Sequence, residues 1–244
     1  MWGLVAGSAL LLGAAVAYII ELPHRLIAGI MGFGGGVLIS VLSFDLMEEA
    51  YGRGGLAATT VGFFGGALLF CVANWYLSGR RAKDRNRCGG CIQQATETEL
   101  PGSGLAIAIG ALLDGIPESI VIGLSVSSGA VSAVAVVGFF VANVPQGLSS
   151  AAGMKQAGRS AGYIFGVWGG IAIVSGVAAL LGNVVFSGLA PEIVAAISAV
   201  AAGAILAMLA ETMIPEAFER AHNFIGLVTV AGFLAAFALT KLGS

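Results

Sequence analysis

Long apolar stretches, separated by short breaks of glycine, proline and charged residues, follow one another along this chain. A helix needs about 20 consecutive apolar residues to cross the hydrocarbon core of a bilayer. Hydropathy and the breaker residues together predict eight such helices, near 2–20, 26–47, 55–77, 103–125, 131–153, 161–182, 192–214 and 222–242. The pattern therefore predicts an all-α membrane protein with a single transmembrane domain over residues 1–244.

The composition is typical of a chain that is embedded in a lipid bilayer and has lipid as its surroundings. Of the 244 residues, 58% are hydrophobic and only 10% are charged, with a mean hydropathy of +0.97. These fractions lie far from those of a soluble globular domain. A formal net charge of −2 gives no reason to expect a nucleic-acid partner.

Basic residues are distributed unevenly between the two sides of the predicted bundle. Nine of them lie in the loops that follow odd-numbered helices, against two, Arg53 and Lys241, on the other side. Cytoplasmic loops are enriched in lysine and arginine, so both termini are predicted to lie outside. The long polar segment 78–102 then becomes a cytoplasmic loop between the third and fourth helices.

Part of the second helix resembles part of the seventh. A shift of 167 residues aligns Gly36–Tyr51 with Gly203–Phe218 without a gap, matching a glycine, a leucine and a Glu-Ala pair. The two helices are predicted to cross the membrane in opposite directions, which is typical of the inverted repeats of secondary transporters. We therefore predict an inverted repeat of helices 1–3 and 6–8 around central helices 4 and 5.

The two central helices carry polar side chains at mid-span. Asp114 and Glu118 are four residues apart in the fourth helix, and Asn143 and Gln146 are three apart in the fifth, so each pair shares a helix face. Carboxylates in the middle of a bilayer are costly and require compensation. A bound divalent cation is the simplest compensation, with these four residues as the predicted metal ligands.

Each polar pair has a proline beside it, Pro117 in the fourth helix and Pro145 in the fifth. A proline removes one helix hydrogen bond and frees a carbonyl one turn earlier, which adds oxygen atoms or a hinge. Two other interpretations stay open. The acids are proton carriers, or they are neutral and hydrogen-bonded to the amides and nearby serines.

These motifs resemble those of the ZIP (Zrt/Irt-like) metal transporters, whose fourth and fifth helices carry His-Asn-x-Pro-Glu-Gly and a related x-Pro-Glu-Gly motif. The matching residues are Pro117, Glu118, Asn143, Pro145 and Gly147. The departures are Asp114 for His, Gly115 for Asn, Ser119 for Gly, Ala142 for His or Gln, and Gln146 for Glu. The resemblance implies uptake of metal by alternating access, a homodimer, and a prokaryotic inner-membrane location.

The departures change the expected metal preference. Imidazole is a favoured zinc ligand, whereas the ligands predicted here are carboxylate and amide oxygens. Such sites suit harder cations such as Mn²⁺, Mg²⁺ or Ca²⁺, although Zn²⁺ and Fe²⁺ also accept carboxylates. With Gly115 and Gln146 in place of stronger ligands, we expect one metal ion rather than two.

Further acids mark a path for the cation. Asp45, Glu48 and Glu49 lie at the outer end of the second helix, and Glu211 and Glu216 approach the inner end of the seventh. The resemblance places Glu211 at an inner exit. The alternative is that these side chains are simply solvated near the headgroups.

Two cysteines, Cys88 and Cys91, form a Cys-Gly-Gly-Cys motif in the predicted cytoplasmic loop. Two thiolates are half of a tetrahedral zinc site, so a role in capturing metal is one interpretation and no essential role is the other. No prosthetic group is expected, because the metal is the substrate.

The sequence thus predicts a gradient-driven transporter of a divalent cation such as zinc, iron or manganese. The chain contains no Gly-x-x-x-x-Gly-Lys motif for ATP hydrolysis. It also has no His-Glu-x-x-His motif, and no enzymatic activity is expected. The alternatives are a proton-coupled transporter of another substrate and a membrane sensor that binds metal without transporting it.

Overall fold

The computed structural model describes residues 2–20, 22–78, 103–127, 133–186, 188–221 and 224–243, and every regular element in these ranges is a helix. The α-helices are α1 (Trp2–Ile19), α2 (His24–Val41), α3 (Met47–Ser78), α4 (Ser103–Ser127), α5 (Ala133–Gln156), α6 (Ala161–Phe186), α7 (Pro191–Met208), α8 (Ile214–Ala221) and α9 (Ile225–Gly243). Five-residue π-helical turns, π1 (Leu42–Leu46) and π2 (Leu209–Met213), join α2 to α3 and α7 to α8. The described ranges therefore contain seven continuous helical runs, and the predicted all-α class is confirmed.

Six helical stretches in the described ranges are long and apolar enough to cross a membrane. They are Trp2–Ile19, Arg25–Tyr76, Ala135–Lys155, Ala161–Phe186, Pro191–Glu219 and Ile225–Leu242. Large apolar side chains also cover the outside of the bundle, with Val61 74% exposed in α3 and Leu180 60% exposed in α6. Water does not favour such a surface and lipid does, so the chain is an integral membrane protein.

The longest of these stretches is broken at Gly55. This residue has φ 69° and ψ 178°, which is not a helical conformation, although helix continues on both sides of it. Only glycine adopts this region readily. Helix α2 packs against α5, α8 and α9, whereas α3 packs against α7 on both sides of the break, at Gly54 before it and at Gly62 and Gly66 after it. The third predicted span, 55–77, begins at the same residue.

The π-helical turns recur at the spacing of the sequence repeat. They begin at residues 42 and 209, which are 167 positions apart. Gly36 and Gly203, at the same separation, are both points of close helix contact. A Cβ atom on Gly36 would overlap the backbone of Thr229 in α9, and a Cβ atom on Gly203 would overlap the backbone of Phe63 in α3. Both regions therefore depend on glycine for close packing.

The polar residues of the central helices are enclosed by α1 and α6. Helix α1 packs against α5 and α6, and α4 packs against α6 and α7. The approach of α1 to α5 is so close that a Cβ atom on Gly147 would overlap the backbone of Leu10. This packing buries the middle of α4 and α5 inside the bundle.

The end of the seventh predicted span differs from the sequence prediction. The seventh predicted span, 192–214, continues through π2 and α8 to Ala221, past Pro215. The π turn before α8 interrupts the α-helical hydrogen-bonding pattern, so Pro215 lies near the start of a new helical segment. The missing N–H of a proline is tolerated at such a position. The predicted loop 78–102, including Cys88 and Cys91, lies outside the described residues except for Ser78, which ends α3.

Candidate functional site

Three polar side chains of α4 are enclosed in the bundle. Asp114, Glu118 and Ser119 are each only 3% exposed. Helix α4 continues through Pro117. The Ser119 hydroxyl donates a 2.7 Å hydrogen bond to the carbonyl of Gly115, one turn earlier. The two carboxylates are thus held away from solvent, at a depth where they need polar or cationic partners.

Helix α5 supplies a direct partner for one of these carboxylates. The side-chain amide of Asn143 donates a 2.9 Å hydrogen bond through Nδ2 to Oε2 of Glu118. The same Nδ2 lies 3.4 Å from the carbonyl oxygen of Ala6 in α1. Asn143 is 5% exposed, so this contact joins three helices in the interior.

The second carboxylate oxygen of Glu118, Oε1, is buried and has no hydrogen-bond partner among the described residues. Glu118 makes no salt bridge in the described part of the chain. An unsatisfied buried polar group costs about 1–3 kcal/mol, and more when it is charged. A cation or a proton at Oε1 removes this cost.

Glu118 lines a small cavity between four helices. The cavity has a volume of about 10 Å³, which is about what one water molecule requires. Its lining residues are Gly3, Ala6, Gly7, Leu10, Ala111, Gly115, Glu118, Ser119, Ile122, Asn143, Gln146 and Ser175. Its walls are therefore small or apolar side chains from α1, α4, α5 and α6, with a few polar groups at one place.

Three of the four predicted metal ligands meet at this cavity. Glu118, Asn143 and Gln146 line it, whereas Asp114 is buried but is not among the lining residues. Asp114 lies one helical turn before Glu118, near enough to act on it electrostatically. In the described part of the chain, no group of three or more His, Cys, Asp or Glu residues is placed to hold a metal. Any metal site here therefore depends on amide and hydroxyl oxygens as well as carboxylate.

Sequence reasoning missed Ser175 as a lining residue. It lies in α6, and its hydroxyl oxygen is 3.4 Å from the position that a Cβ atom on Gly115 would occupy. A lone serine in an apolar helix gives no periodic signal. Its position opposite α4 depends on the contact between α4 and α6, which hydropathy does not encode.

The acids predicted for the outer end of the path occupy π1 and the beginning of α3. Asp45 is in π1 and is partly buried. Glu48 is exposed, and Glu49 forms a 3.0 Å salt bridge with Arg53, one turn along the helix. Surface pairs of this kind contribute little to stability.

The acids predicted for the inner end have polar partners on neighbouring helices. Glu211, in π2, accepts a 2.6 Å hydrogen bond from Asn74 in α3. Glu216 accepts a 3.3 Å hydrogen bond from Ser149, a fully buried residue of α5.

The comparisons with known proteins give one distant relative. Over 130 residues the chain is 27% identical to the zinc transporter ZTP29 of Arabidopsis thaliana, an alignment that covers 49% of this chain and 47% of that protein. The chain thus matches about half the length of this curated relative. No family model matches the chain. The chain is therefore a membrane protein distantly related to a zinc transporter.

Proposed function

We propose that this protein carries a divalent metal cation across the membrane, and that Glu118 binds the cation in the cavity between α1, α4, α5 and α6. One observation carries the proposal. The carboxylate oxygen Oε1 of Glu118 is buried without a hydrogen-bond partner among the described residues, and Glu118 lines the cavity. The distant relation to a zinc transporter and the resemblance of the α4 and α5 motifs to ZIP transporters both support a metal as the substrate.

The charges of the site match a divalent ion. When ionised, Glu118 and the nearby Asp114 carry two negative charges, which one divalent cation neutralises. Neutral sites are strongly favoured inside a bilayer, because uncompensated charge there is costly. In this proposal Glu118 is the anchoring ligand, Asn143 and Gln146 contribute amide oxygens, and Asp114 acts as the second charge from outside the cavity lining.

The fold proposed for this activity has eight spanning segments in an inverted repeat. Two observations support it: the break at Gly55, which divides the long second run, and the recurrence of a π turn and a close-contact glycine after 167 residues. The packing agrees with such a repeat, in which α2 corresponds to α7 and the part of α3 after Gly55 corresponds to α9. Helix α2 packs against α9, and α7 packs against α3. Repeats of this kind form substrate sites at their interface and expose them alternately to each side.

The proposed direction is uptake into the cytoplasm of a prokaryotic cell through its inner membrane. The excess of basic residues after odd-numbered helices supports termini on the outside. The cation would pass from the acids of α2 and α3 to Glu118, and leave past Glu216. The hydrogen bond between Ser149 and Glu216 supports this route because it reaches from α5, two turns beyond Asn143, to α8. The homodimer expected from the ZIP resemblance belongs to the same proposal.

Proton relay is the competing function, and one observation favours it. The described part of the chain lacks a group of three metal-ligating His, Cys, Asp or Glu residues, and a proton on Glu118 also satisfies its unpartnered oxygen. Proteoliposomes that contain both a pH-sensitive dye and a metal-sensitive dye separate the two functions. Metal entry under a metal gradient supports cation transport. Proton movement without metal entry supports proton relay, and stabilisation by metal without either flux supports a sensor.

A further inference from the structure

The side-chain atoms around the cavity that can coordinate a cation are of one chemical type. Its lining contributes the carboxylate of Glu118, the amides of Asn143 and Gln146, and the hydroxyls of Ser119 and Ser175. No histidine, cysteine or methionine is among the described residues that line it. Every side-chain atom that could coordinate a cation there is therefore an oxygen, which is the ligand type preferred by hard cations.

The two hydroxyls come from opposite walls. Ser119 belongs to α4, next to Glu118, while Ser175 belongs to α6 and approaches α4 at Gly115. The absence of a side chain at Gly115 leaves the space through which the Ser175 hydroxyl faces α4. The cavity therefore receives hydroxyl oxygens from both sides, in addition to the carboxylate and amides.

The size of the cavity restricts how many cations it holds. A cavity of about 10 Å³ has room for about one water-sized particle. Two-metal sites hold their ions roughly 3.5–4 Å apart, and so need more space than this. The cavity therefore has room for one cation rather than two.

We propose that the cavity is an all-oxygen site for one hard divalent cation, and that the hydroxyl of Ser175 is one of its ligands. The inference rests on the proposed function and adds to it the class of cation and a ligand from α6. It implies that soft cations such as Cd²⁺, which prefer sulfur, bind this site less well.

Exchanging one oxygen for sulfur tests the assignment. In Ser175→Cys a thiol replaces the hydroxyl with little change in shape. In the control Ser198→Cys the same exchange is made at a residue of α7 that is 2% exposed and does not line the cavity. The comparison of the two variants cancels any binding by the three native cysteines. Ser119→Cys is the second cavity variant, in case Ser175→Cys does not fold.

The measurement is thermal unfolding of the purified full chain in detergent, titrated with Mn²⁺ or Cd²⁺. We expect the native protein to reach its half-maximal rise in Tm at a lower concentration of Mn²⁺ than of Cd²⁺. Ser175→Cys should reach its half-maximal rise in Tm at a roughly tenfold lower concentration of Cd²⁺ than Ser198→Cys, and at a higher concentration of Mn²⁺. A tenfold change is the scale on which changes around metal ligands alter affinity.

Other results separate the two proposals. A native protein that prefers Cd²⁺ to Mn²⁺ would overturn the all-oxygen assignment. Cysteine variants that respond identically would overturn the assignment of Ser175 as a ligand. Both results leave metal transport standing. If no divalent cation stabilises the native protein and none enters proteoliposomes, the proposed function fails, and the cation class fails with it.

Discussion

Asn143 holds one carboxylate oxygen of Glu118 through a 2.9 Å hydrogen bond, while the other oxygen of the same carboxylate is buried without a partner among the described residues. The contact fixes the carboxylate between α4 and α5 and leaves one coordinating atom available. An unmet polar group in this environment costs free energy, so a cation or a proton at this oxygen stabilises the site.

Removing the charge of Glu118 should remove the response to metal. We expect Glu118→Gln to fold, since the change keeps the size of the side chain and removes a buried carboxylate. A ligand present at 100 times its Kd stabilises the native protein by about 2.7 kcal/mol. The rise in Tm that corresponds to this gain, measured with Mn²⁺ in detergent, should be absent in the variant. A variant that keeps the full rise would show that the metal binds elsewhere.

Replacing Asn143 should destabilise the protein without metal. In Asn143→Ala the Oε2 atom of Glu118 loses its hydrogen-bond donor, and a buried group left unsatisfied costs about 1–3 kcal/mol. Asn74→Ala is the matched control, because its partner Glu211 is exposed and the lost contact leaves no buried oxygen unsatisfied. Thermal unfolding of both variants makes the comparison. Equal losses would contradict the assignment of Asn143 as the buried partner.

Glu216 should affect the rate of transport more than binding. Glu216→Gln weakens the contact with Ser149 on the proposed exit route, so we expect slower metal flux but an unchanged rise in Tm with metal. Glu219→Gln, an exposed acid of the same helix, should leave both unchanged. Flux into proteoliposomes measures the rate. Identical rates for the two variants would remove Glu216 from the route.

The two close-contact glycines should respond alike if the repeat is structural. Gly36→Ala and Gly203→Ala each place a Cβ atom against the backbone of another helix, and overpacking of this kind costs typically 1–3 kcal/mol. Gly29→Ala is the control, because no atom lies within 4 Å of its Cβ position. That change should be neutral, or stabilising by up to about 1 kcal/mol through helix propensity. Unfolding losses confined to one of the two glycines would argue against equivalent roles.

The sequence predicted the helices well because length and apolarity determine what can cross a bilayer. The spacing of Asn143 and Gln146 predicted that they share one face of the fifth helix, and both line the cavity together with Glu118. The break at Gly55 coincides with the predicted start of the third span, because a glycine-rich interruption between apolar stretches is visible in the sequence.

Features that depend on contacts between helices were not predictable. The side chains of Asp114 and Glu118 leave α4 in directions that differ by roughly 40°, because the helix has 3.6 residues per turn. The cavity is narrow, and of these two acids only Glu118 lines it. Ser175 is placed by the contact of α6 with α4. The π turns reflect the backbone hydrogen-bonding register, which hydropathy does not report, although their spacing of 167 residues follows the sequence repeat.

The most direct test of the account is metal uptake into proteoliposomes by the native chain, Glu118→Gln and Asp114→Asn, with Glu219→Gln as the control. We predict Mn²⁺ uptake by the native chain and the control, none by Glu118→Gln, and reduced uptake by Asp114→Asn, which keeps the cavity lining but loses the second charge. No uptake by the native chain, or equal uptake by Glu118→Gln, would contradict the claim that this carboxylate carries the cation across the membrane.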